Sequence, residues 1–216
     1  MSNKGIIFDL DGTLLNTLQD LADSVNSVLK SRGWAQHPVD AYRFFVGDGL
    51  PMLVRRAVPE DVQDQSVINE CIQAAREEYS RRWANRTAPY PGVLEALEEL
   101  ARNEIPMAVL SNKPHEATLH TVGHFFPDGY FQVVQGALPN GAVKPDPEPA
   151  LEVAARMGLK PDQVYFLGDS NVDMYTAVSA GMTGLGAAWG FRGRQELLQA
   201  GAHYILESPQ ELSAYF

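Results

Sequence analysis

From residue 89 onward, short apolar runs alternate with segments of helical periodicity. The apolar runs include IPMAVLSN, FQVVQGA, QVYFLGDS and TGLGAAWG, and the segments between them include GVLEALEELARN and PEPALEVAARMGL. Strands that alternate with helices in this way predict a parallel sheet that is covered on both faces. The sequence therefore predicts an α/β fold built on a doubly wound, Rossmann-like sheet.

The first predicted strand is followed by a long stretch without strand-like alternation. Residues 6–8 form a short apolar run of the kind that is buried on both faces of a sheet. Helical spacing then continues for about seventy residues, beginning with TLQDLADSVNSVLKSRG, in which Thr17 is the predicted N-cap. We therefore predict a Rossmann-like core of residues 1–15 and 89–216 and an inserted all-helical cap of residues 16–88.

The composition and net charge of the chain limit the kinds of molecule that it is expected to bind. The chain of 216 residues carries 17 basic and 27 acidic side chains, and its formal net charge of −10 disfavours a nucleic-acid or anionic-membrane surface. No apolar run is long enough to span a membrane, no secretory signal is recognisable, and Cys71 is the single cysteine. We therefore expect a cytoplasmic protein, monomeric or homodimeric, that acts on a small molecule.

Polar and charged residues follow several of the predicted strands. In open parallel sheets, sites form beyond the carboxyl ends of the strands. The residues at these ends, or in the loop AVKPDPEP between two of the strands, are Asp9, Asp11, Ser111, Lys144 and Asp169. We expect them to meet in one site.

The paired aspartates indicate phosphoryl chemistry. Asp9 and Asp11 share a strand face, so their charges repel unless a cation such as Mg²⁺ lies between them or one of them carries a proton. Asp9 could then attack phosphorus as a nucleophile, while Asp11 protonates the leaving oxygen and later activates water. Ser111 and Lys144 would bind the transferring group and neutralise its oxygens.

Four segments together resemble the motifs of the haloacid dehalogenase-like hydrolases. They are DLDGT at 9–13, Ser111 after an apolar strand, Lys144, and GDSNVD at 168–173. The resemblance implies that Mg²⁺ is bound by Asp9, by the backbone carbonyl of Asp11 and by Asp169. It implies that Asp173 orients the water around the metal or Lys144, although the spacing of Asp173 from Ser170 also fits plain helix capping.

Two further residues, Thr13 at the end of the first motif and Asn112 directly after Ser111, are predicted to bind phosphate with Ser111 and Lys144. Within the family, the segments SNKP, VKPDPEP and WGFRG resemble the phosphoglycolate phosphatases more closely. This resemblance implies a phosphatase that acts on a small phosphorylated metabolite of the phosphoglycolate type.

The cap segment VGDGLPMLVRRAV provides candidate substrate contacts. Gly47 and Gly49 precede a predicted helix whose N-terminal amides could receive a substrate carboxylate. Arg55 could add positive charge there, or it could face solvent.

Other functions remain open from the residues. The same chemistry would serve a pyrophosphatase, a nucleotidase or a sugar-phosphate phosphatase. A signalling receiver domain, which is a non-enzymatic phosphoacceptor, also combines acidic residues, Mg²⁺, a hydroxyl and a lysine. However, receivers lack a large helical insert and an acid two residues after the phosphoacceptor, so the insert and Asp11 favour an enzyme.

Overall fold

A computed structural model of the chain describes residues 4–216. The chain forms two compact units, one of residues up to Leu15 together with Pro89–Phe216, and one of Asn16–Ala88. The strands are β1 (Gly5–Phe8), β2 (Leu15–Asn16), β3 (Ala88–Pro89), β4 (Met107–Pro114), β5 (Val133–Ala137), β6 (Val164–Gly168), β7 (Thr183–Ala187) and β8 (Tyr204–Leu206). The α-helices are α1 (Leu18–Ser31), α2 (Gly49–Ala57), α3 (Gln65–Arg82), α4 (Val93–Arg102), α5 (His115–Phe125), α6 (Glu148–Arg156), α7 (Asn171–Ser179) and α8 (Arg194–Gln199).

The larger unit contains a six-stranded sheet in the order β5-β4-β1-β6-β7-β8, and every neighbouring pair is parallel. The predicted doubly wound α/β fold is confirmed. Strand β1 is central, with Phe8 opposite Val109 of β4 on one side and Leu167 of β6 on the other. The residues that follow these strands therefore leave the sheet side by side. Strands β2 and β3 form a separate two-stranded ribbon where the chain passes from one unit to the other.

The sheet has a hydrophobic layer on each face because alternate residues of a strand point in opposite directions. Ile6 and Phe8 belong to the cluster that includes Val93 and Leu97 of α4. Ile7, between them in sequence, belongs to the opposite cluster with Val153 of α6. These β1 side chains are completely buried, and each burial contributes about 1.5–3 kcal/mol. The strand that carries the first motif is thus held firmly in place.

The smaller unit consists of α1, α2 and α3 together with a 3-10 helix at Val39–Phe44, where helical spacing predicted an α-helix. Another 3-10 helix, Pro209–Tyr215, lies at the C-terminal end of the larger unit. Thr17 precedes α1, but its φ of −98° and ψ of 1° are not the extended backbone of a capping residue, and its hydroxyl makes no capping hydrogen bond. The predicted side-chain cap at Thr17 is therefore wrong.

A buried carboxylate joins the two ends of the smaller unit. Asp20 in the first turn of α1 accepts hydrogen bonds from the backbone N–H groups of Arg86 and Thr87 at 2.9 Å each, and from the Thr87 hydroxyl at 2.8 Å. Asp20 thus fixes the segment that leads into β3 against the start of α1.

None of the helices between residues 4 and 216 combines the length and the apolar character that a membrane-spanning helix needs.

Candidate active site

Three buried carboxylates meet at the carboxyl ends of β1 and β6. Asp9 follows β1, Asp169 follows β6, and Asp173 lies in the first turn of α7. One oxygen of each lies within 4.8 Å of the others. The meeting follows from the topology, because β1 and β6 are parallel neighbours and α7 begins directly after β6. These oxygens form a set that could hold a metal ion.

Lys144 places a buried ammonium between two of these carboxylates. Its Nζ donates to Asp9 Oδ1 at 2.7 Å and to Asp173 Oδ1 at 2.6 Å. Asn112 fixes the lysine backbone through two hydrogen bonds of 2.9 Å, since its side-chain amide donates to the Lys144 carbonyl and accepts from the Lys144 N–H. A residue of β4 therefore positions the lysine loop, and the amide that was predicted to bind phosphate is engaged in this contact.

Asp173 combines both roles that its spacing suggested. Its Oδ2 accepts from the Ser170 N–H at 3.1 Å and from the Ser170 hydroxyl at 2.6 Å, which forms a capping box at the start of α7. Its Oδ1 accepts from Lys144. Gly168 allows this arrangement, because a Cβ at that position would lie 2.2 Å from the Asp173 Cβ.

Asp169 is held by two hydrogen-bond donors and two close glycines. Its Oδ1 accepts from the Thr13 hydroxyl at 3.2 Å, and its Oδ2 accepts from the Phe191 N–H at 2.6 Å. A Cβ on Gly12, whose φ is +101°, would lie 2.4 Å from Asp169 Oδ2, and a Cβ on Gly190 would lie 2.2 Å from the Asp169 Cβ. The Thr13 hydroxyl, which was predicted to bind phosphate, thus contacts a carboxylate.

Asp11 lies outside the group of three carboxylates and has its own cation. The Nζ of Lys113 lies 2.9 Å from Asp11 Oδ1 and 3.1 Å from Oδ2. Lys113 is 8% exposed. The side chains of Asp9 and Asp11 are thus bound by two different lysines, whereas the metal contact predicted for Asp11 is its backbone carbonyl.

Ser111 is buried at the end of the regular part of β4, near the shift in register between Leu110 and Pro114. Its hydroxyl oxygen accepts from the Lys113 N–H at 3.2 Å. The hydroxyl proton can therefore donate in another direction, as a phosphate contact requires.

Burial dominates the electrostatics of the site. Burial raises the pKa of Asp9 to about 7, with Lys144 opposing the shift and Asp173 adding to it. The pKa of Asp169 is also raised well above its usual range, first by burial and then by the charges of Asp9 and Asp173. Burial acts to lower the pKa of Lys144, but Asp173 and Asp9 outweigh it, and the net shift is upward. Three carboxyl groups share one ammonium here, and a divalent cation among them would favour their ionised forms.

The predicted cap contacts lie near the start of α2, within the smaller unit. Gly47 and Gly49 have φ values of +131° and +82°, and the helix begins at Gly49. The Asp48 side chain makes no capping hydrogen bond and instead pairs with Arg56 at 2.5 Å. Arg55, the predicted source of positive charge, donates to Gln65 at 3.4 Å and is exposed. The helix start is thus not capped by its own aspartate.

Sequence reasoning gave no role to Lys113 or to the residues after β7. Lys113 stands two positions after Ser111 on β4, and the period of two that related Asp9 to Asp11 would have pointed to it. The indole N–H of Trp189 donates to the Thr13 carbonyl at 3.0 Å. That contact joins distant parts of the chain and has no local sequence signal.

Comparisons with known proteins agree with the motifs. The phosphoglycolate phosphatase of Psychrobacter arcticus is 33% identical over 205 residues, which cover 92% of this chain and 89% of that protein. The phosphoglycolate phosphatase of Mannheimia succiniciproducens is 34% identical over 215 residues, which cover 97% and 96%. The crystal structure of a predicted phosphoglycolate phosphatase from Haemophilus somnus has a TM-score of 0.91 at 30% identity and covers 100% of this chain and 99% of that chain.

The resemblance that the motifs indicated is confirmed by a match over most of the chain. The family model for haloacid dehalogenase-like hydrolases matches residues 6–187, which include every core residue predicted for the site. This chain belongs to the haloacid dehalogenase-like hydrolase family.

Proposed function

We propose that this protein is a Mg²⁺-dependent phosphatase that hydrolyses a small phosphorylated acid of the phosphoglycolate type through an aspartyl-phosphate on Asp9. The observation that carries the proposal is the meeting of three buried carboxylates and a buried ammonium at the carboxyl ends of β1 and β6. Membership in a hydrolase family favours an enzyme over a receiver-like phosphoacceptor. The names of the relatives support the substrate class.

The donor set suits magnesium, which prefers carboxylate oxygens and keeps part of its water shell. In this proposal Asp9 and Asp169 hold the ion together with the backbone carbonyl of Asp11, while Asp173 keeps Lys144 in place. When bound, Mg²⁺ supplies positive charge that polarises a phosphoryl oxygen and balances the carboxylates. The raised pKa values of Asp9 and Asp169 support this assignment, since a cation would favour the ionised carboxylates.

The first half-reaction transfers the phosphoryl group to Asp9. Lys144 orients the Asp9 carboxylate through its contact with Oδ1. As a bond forms between a carboxylate oxygen of Asp9 and phosphorus, the bond from phosphorus to the leaving oxygen breaks. Asp11 donates its proton to that oxygen, so the leaving group departs as an alcohol.

The second half-reaction regenerates the enzyme. Asp11, now ionised, accepts a proton from a water molecule whose oxygen attacks phosphorus. The bond between phosphorus and the Asp9 oxygen breaks, which releases inorganic phosphate and restores the carboxylate. Asp11 thus serves as the acid in one step and as the base in the next.

The phosphate-binding residues divide into two groups in this proposal. Ser111 and Lys144 face the reacting group, with the hydroxyl proton of Ser111 donating to a phosphoryl oxygen. Thr13 and Asn112 act through their neighbours, because the first holds Asp169 and the second holds the backbone of Lys144.

A substrate panel tests the proposal. The purified protein with Mg²⁺ is assayed for phosphate release from phosphoglycolate, pyrophosphate, a nucleoside monophosphate, a sugar phosphate and p-nitrophenyl phosphate, with Asp9→Asn as the control. We expect many turnovers and the highest kcat/KM on phosphoglycolate. A higher kcat/KM on pyrophosphate, the nucleotide or the sugar phosphate would show that the proposed substrate class is wrong. Full activity of Asp9→Asn would refute the mechanism.

We also propose that residues 16–88 act as a cap that selects the substrate, with Gly47 and Gly49 presenting amides to its carboxylate. Gly49→Val is expected to lower kcat/KM on phosphoglycolate more than on p-nitrophenyl phosphate. Gly33→Val is the matched control, because Gly33 in the same unit also has a positive φ, +72°. Equal effects of the two variants would contradict a specific role for the start of α2.

A further inference from the structure

Lys113 is a buried cation beside Asp11, the proposed general acid. Its ammonium contacts both oxygens of Asp11, at 2.9 and 3.1 Å. The other ammonium of the site, that of Lys144, contacts Asp9 and Asp173 instead. The two ammonium groups therefore bind different aspartates, Lys144 the proposed nucleophile and Lys113 the proposed acid.

The backbone around Lys113 is fixed on both sides. Its N–H donates to the Ser111 hydroxyl at 3.2 Å, and its carbonyl accepts from the Thr118 hydroxyl at 3.1 Å. Gly136 packs against the same carbonyl, since a Cβ at that position would lie 2.5 Å from it. A charge that is held by rigid neighbours is suited to recognition, because little ordering is needed when a ligand binds.

We propose that Lys113 binds the carboxylate of the leaving group and thereby adds, beyond the proposed cap contacts, to the selectivity for phosphate esters of short α-hydroxy acids. The inference rests on the proposed function, in which Asp11 is the acid that meets the leaving oxygen. A general acid lies about 2.6–3.2 Å from the atom that it protonates. The Lys113 ammonium, in contact with the same carboxyl group, is then within two hydrogen bonds of the leaving oxygen.

The chemistry of an α-hydroxy acid fits this distance. Its carboxylate carbon is bonded to the carbon that carries the leaving oxygen, so the carboxylate lies beside the acid that protonates this oxygen. An ammonium has three N–H donors and can serve two carboxylates together. Lys144 does so in this structure, with Asp9 and Asp173 as its two acceptors. We infer the same arrangement for Lys113, with Asp11 and the substrate carboxylate as acceptors.

The competing explanation is that Lys113 only positions Asp11. A pair of esters that differ in the leaving group separates the two roles. Phosphoglycolate carries the carboxylate, and ethyl phosphate has a methyl group in its place, while both need a proton on the leaving oxygen. The readout is the ratio of kcat/KM for phosphoglycolate to kcat/KM for ethyl phosphate, measured with Mg²⁺ for wild type, Lys113→Met, Lys113→Arg and the exposed control Lys30→Met.

We expect Lys113→Met to lower this ratio roughly 10- to 100-fold, as the loss of a charge-assisted hydrogen bond predicts. Lys113→Arg should retain more of the ratio than Lys113→Met, and Lys30→Met should keep the wild-type ratio. Thermal unfolding of each variant reports whether it is folded, and the ratio is insensitive to a reduced fraction of active enzyme.

Two results would overturn the inference. If Lys113→Met lowers kcat/KM on both esters by the same factor, the lysine acts only through Asp11. If wild type hydrolyses p-nitrophenyl phosphate but does not prefer phosphoglycolate to ethyl phosphate, no carboxylate site exists, although the phosphatase assignment stands. Hydrolysis of none of the three esters would instead refute the proposed function, and the inference would fall with it.

Discussion

Replacement of Lys144 by methionine removes a cation from the centre of a buried cluster of acids. The ammonium contacts Asp9 at 2.7 Å and Asp173 at 2.6 Å, and all three side chains are buried. Hydrogen bonds to charged groups contribute about 1.5–3 kcal/mol each. Removal of one partner of a buried ion pair costs about 3–5 kcal/mol, because the remaining charge is left without compensation.

We therefore expect Lys144→Met to lower the free energy of unfolding by about 4 kcal/mol near pH 8 in EDTA. This is a large part of the roughly 5–15 kcal/mol that is typical of a folded protein. The loss should be smaller near pH 5, because burial raises the pKa of Asp9 to about 7 and that carboxyl group is then largely neutral. Without the ammonium the pKa of Asp9 rises further, which strengthens the difference between the two pH values.

Urea unfolding followed by circular dichroism measures the effect, with Lys30→Met as the control. Lys30 is an exposed lysine of α1, so its replacement should change the free energy of unfolding by less than about 0.5 kcal/mol. An equal loss for Lys144→Met at both pH values would show that packing, and not charge, is responsible. A loss as small as that of the control would refute the ion-pair reasoning altogether.

Three further predictions concern the metal, the loop after β7 and the connection of the smaller unit. Burial raises the pKa of Asp9 from 3.8 to about 7, so the stability contributed by its neutral form is complete below pH 3.8 and is lost as the pH rises to 7. Mg²⁺ would bind the ionised carboxylate, so the increase in Tm that Mg²⁺ causes should grow over this pH range. An increase in Tm that shrinks over the same range would contradict the metal assignment. Gly190→Ala should lower kcat at least tenfold by displacing Asp169, whereas Gly193→Ala, where a Cβ meets nothing within 4 Å, should not, as steady-state kinetics of both variants will show. Asp20→Asn should lower the free energy of unfolding by about 2 kcal/mol in urea titrations, because the amide brings N–H groups toward buried donors; an unchanged value would refute the structural role of this carboxylate.

The strand-end residues of the core were accessible to sequence reasoning because they depend on simple rules. Parallel neighbours such as β1 and β6 end at the same edge of the sheet, so Asp9 and Asp169 must lie close together whatever the detailed packing. The same rule predicts Ser111 at this edge, because β4 is the parallel neighbour of β1 on its other side. The spacing of Asp173 fitted both helix capping and a contact with Lys144. The structure shows both contacts, because each uses a different oxygen of the Asp173 carboxylate.

Contacts that depend on register or on distant packing were missed. A period of two from Ser111 points to Lys113, but its pairing with Asp11, 102 positions away, depends on the register that places Phe8 opposite Val109, which no local pattern encodes. Helical periodicity does not distinguish an α-helix from the 3-10 helix at Val39–Phe44. A threonine before a helix also does not reveal its backbone angles, so the missing cap at Thr17 could not be foreseen.

The most direct test of the account is detection of a phosphorylated Asp9. In Asp11→Asn the nucleophile remains while the general base is lost, so p-nitrophenyl phosphate, whose leaving group needs no proton, should phosphorylate the enzyme and then stall. Rapid acid quenching followed by peptide mass spectrometry should find one phosphoryl group on the peptide that contains Asp9, and none in the double variant that also carries Asp9→Asn. Phosphorylation at another residue, or steady turnover by Asp11→Asn without any covalent species, would contradict the assignment of Asp9 as the nucleophile.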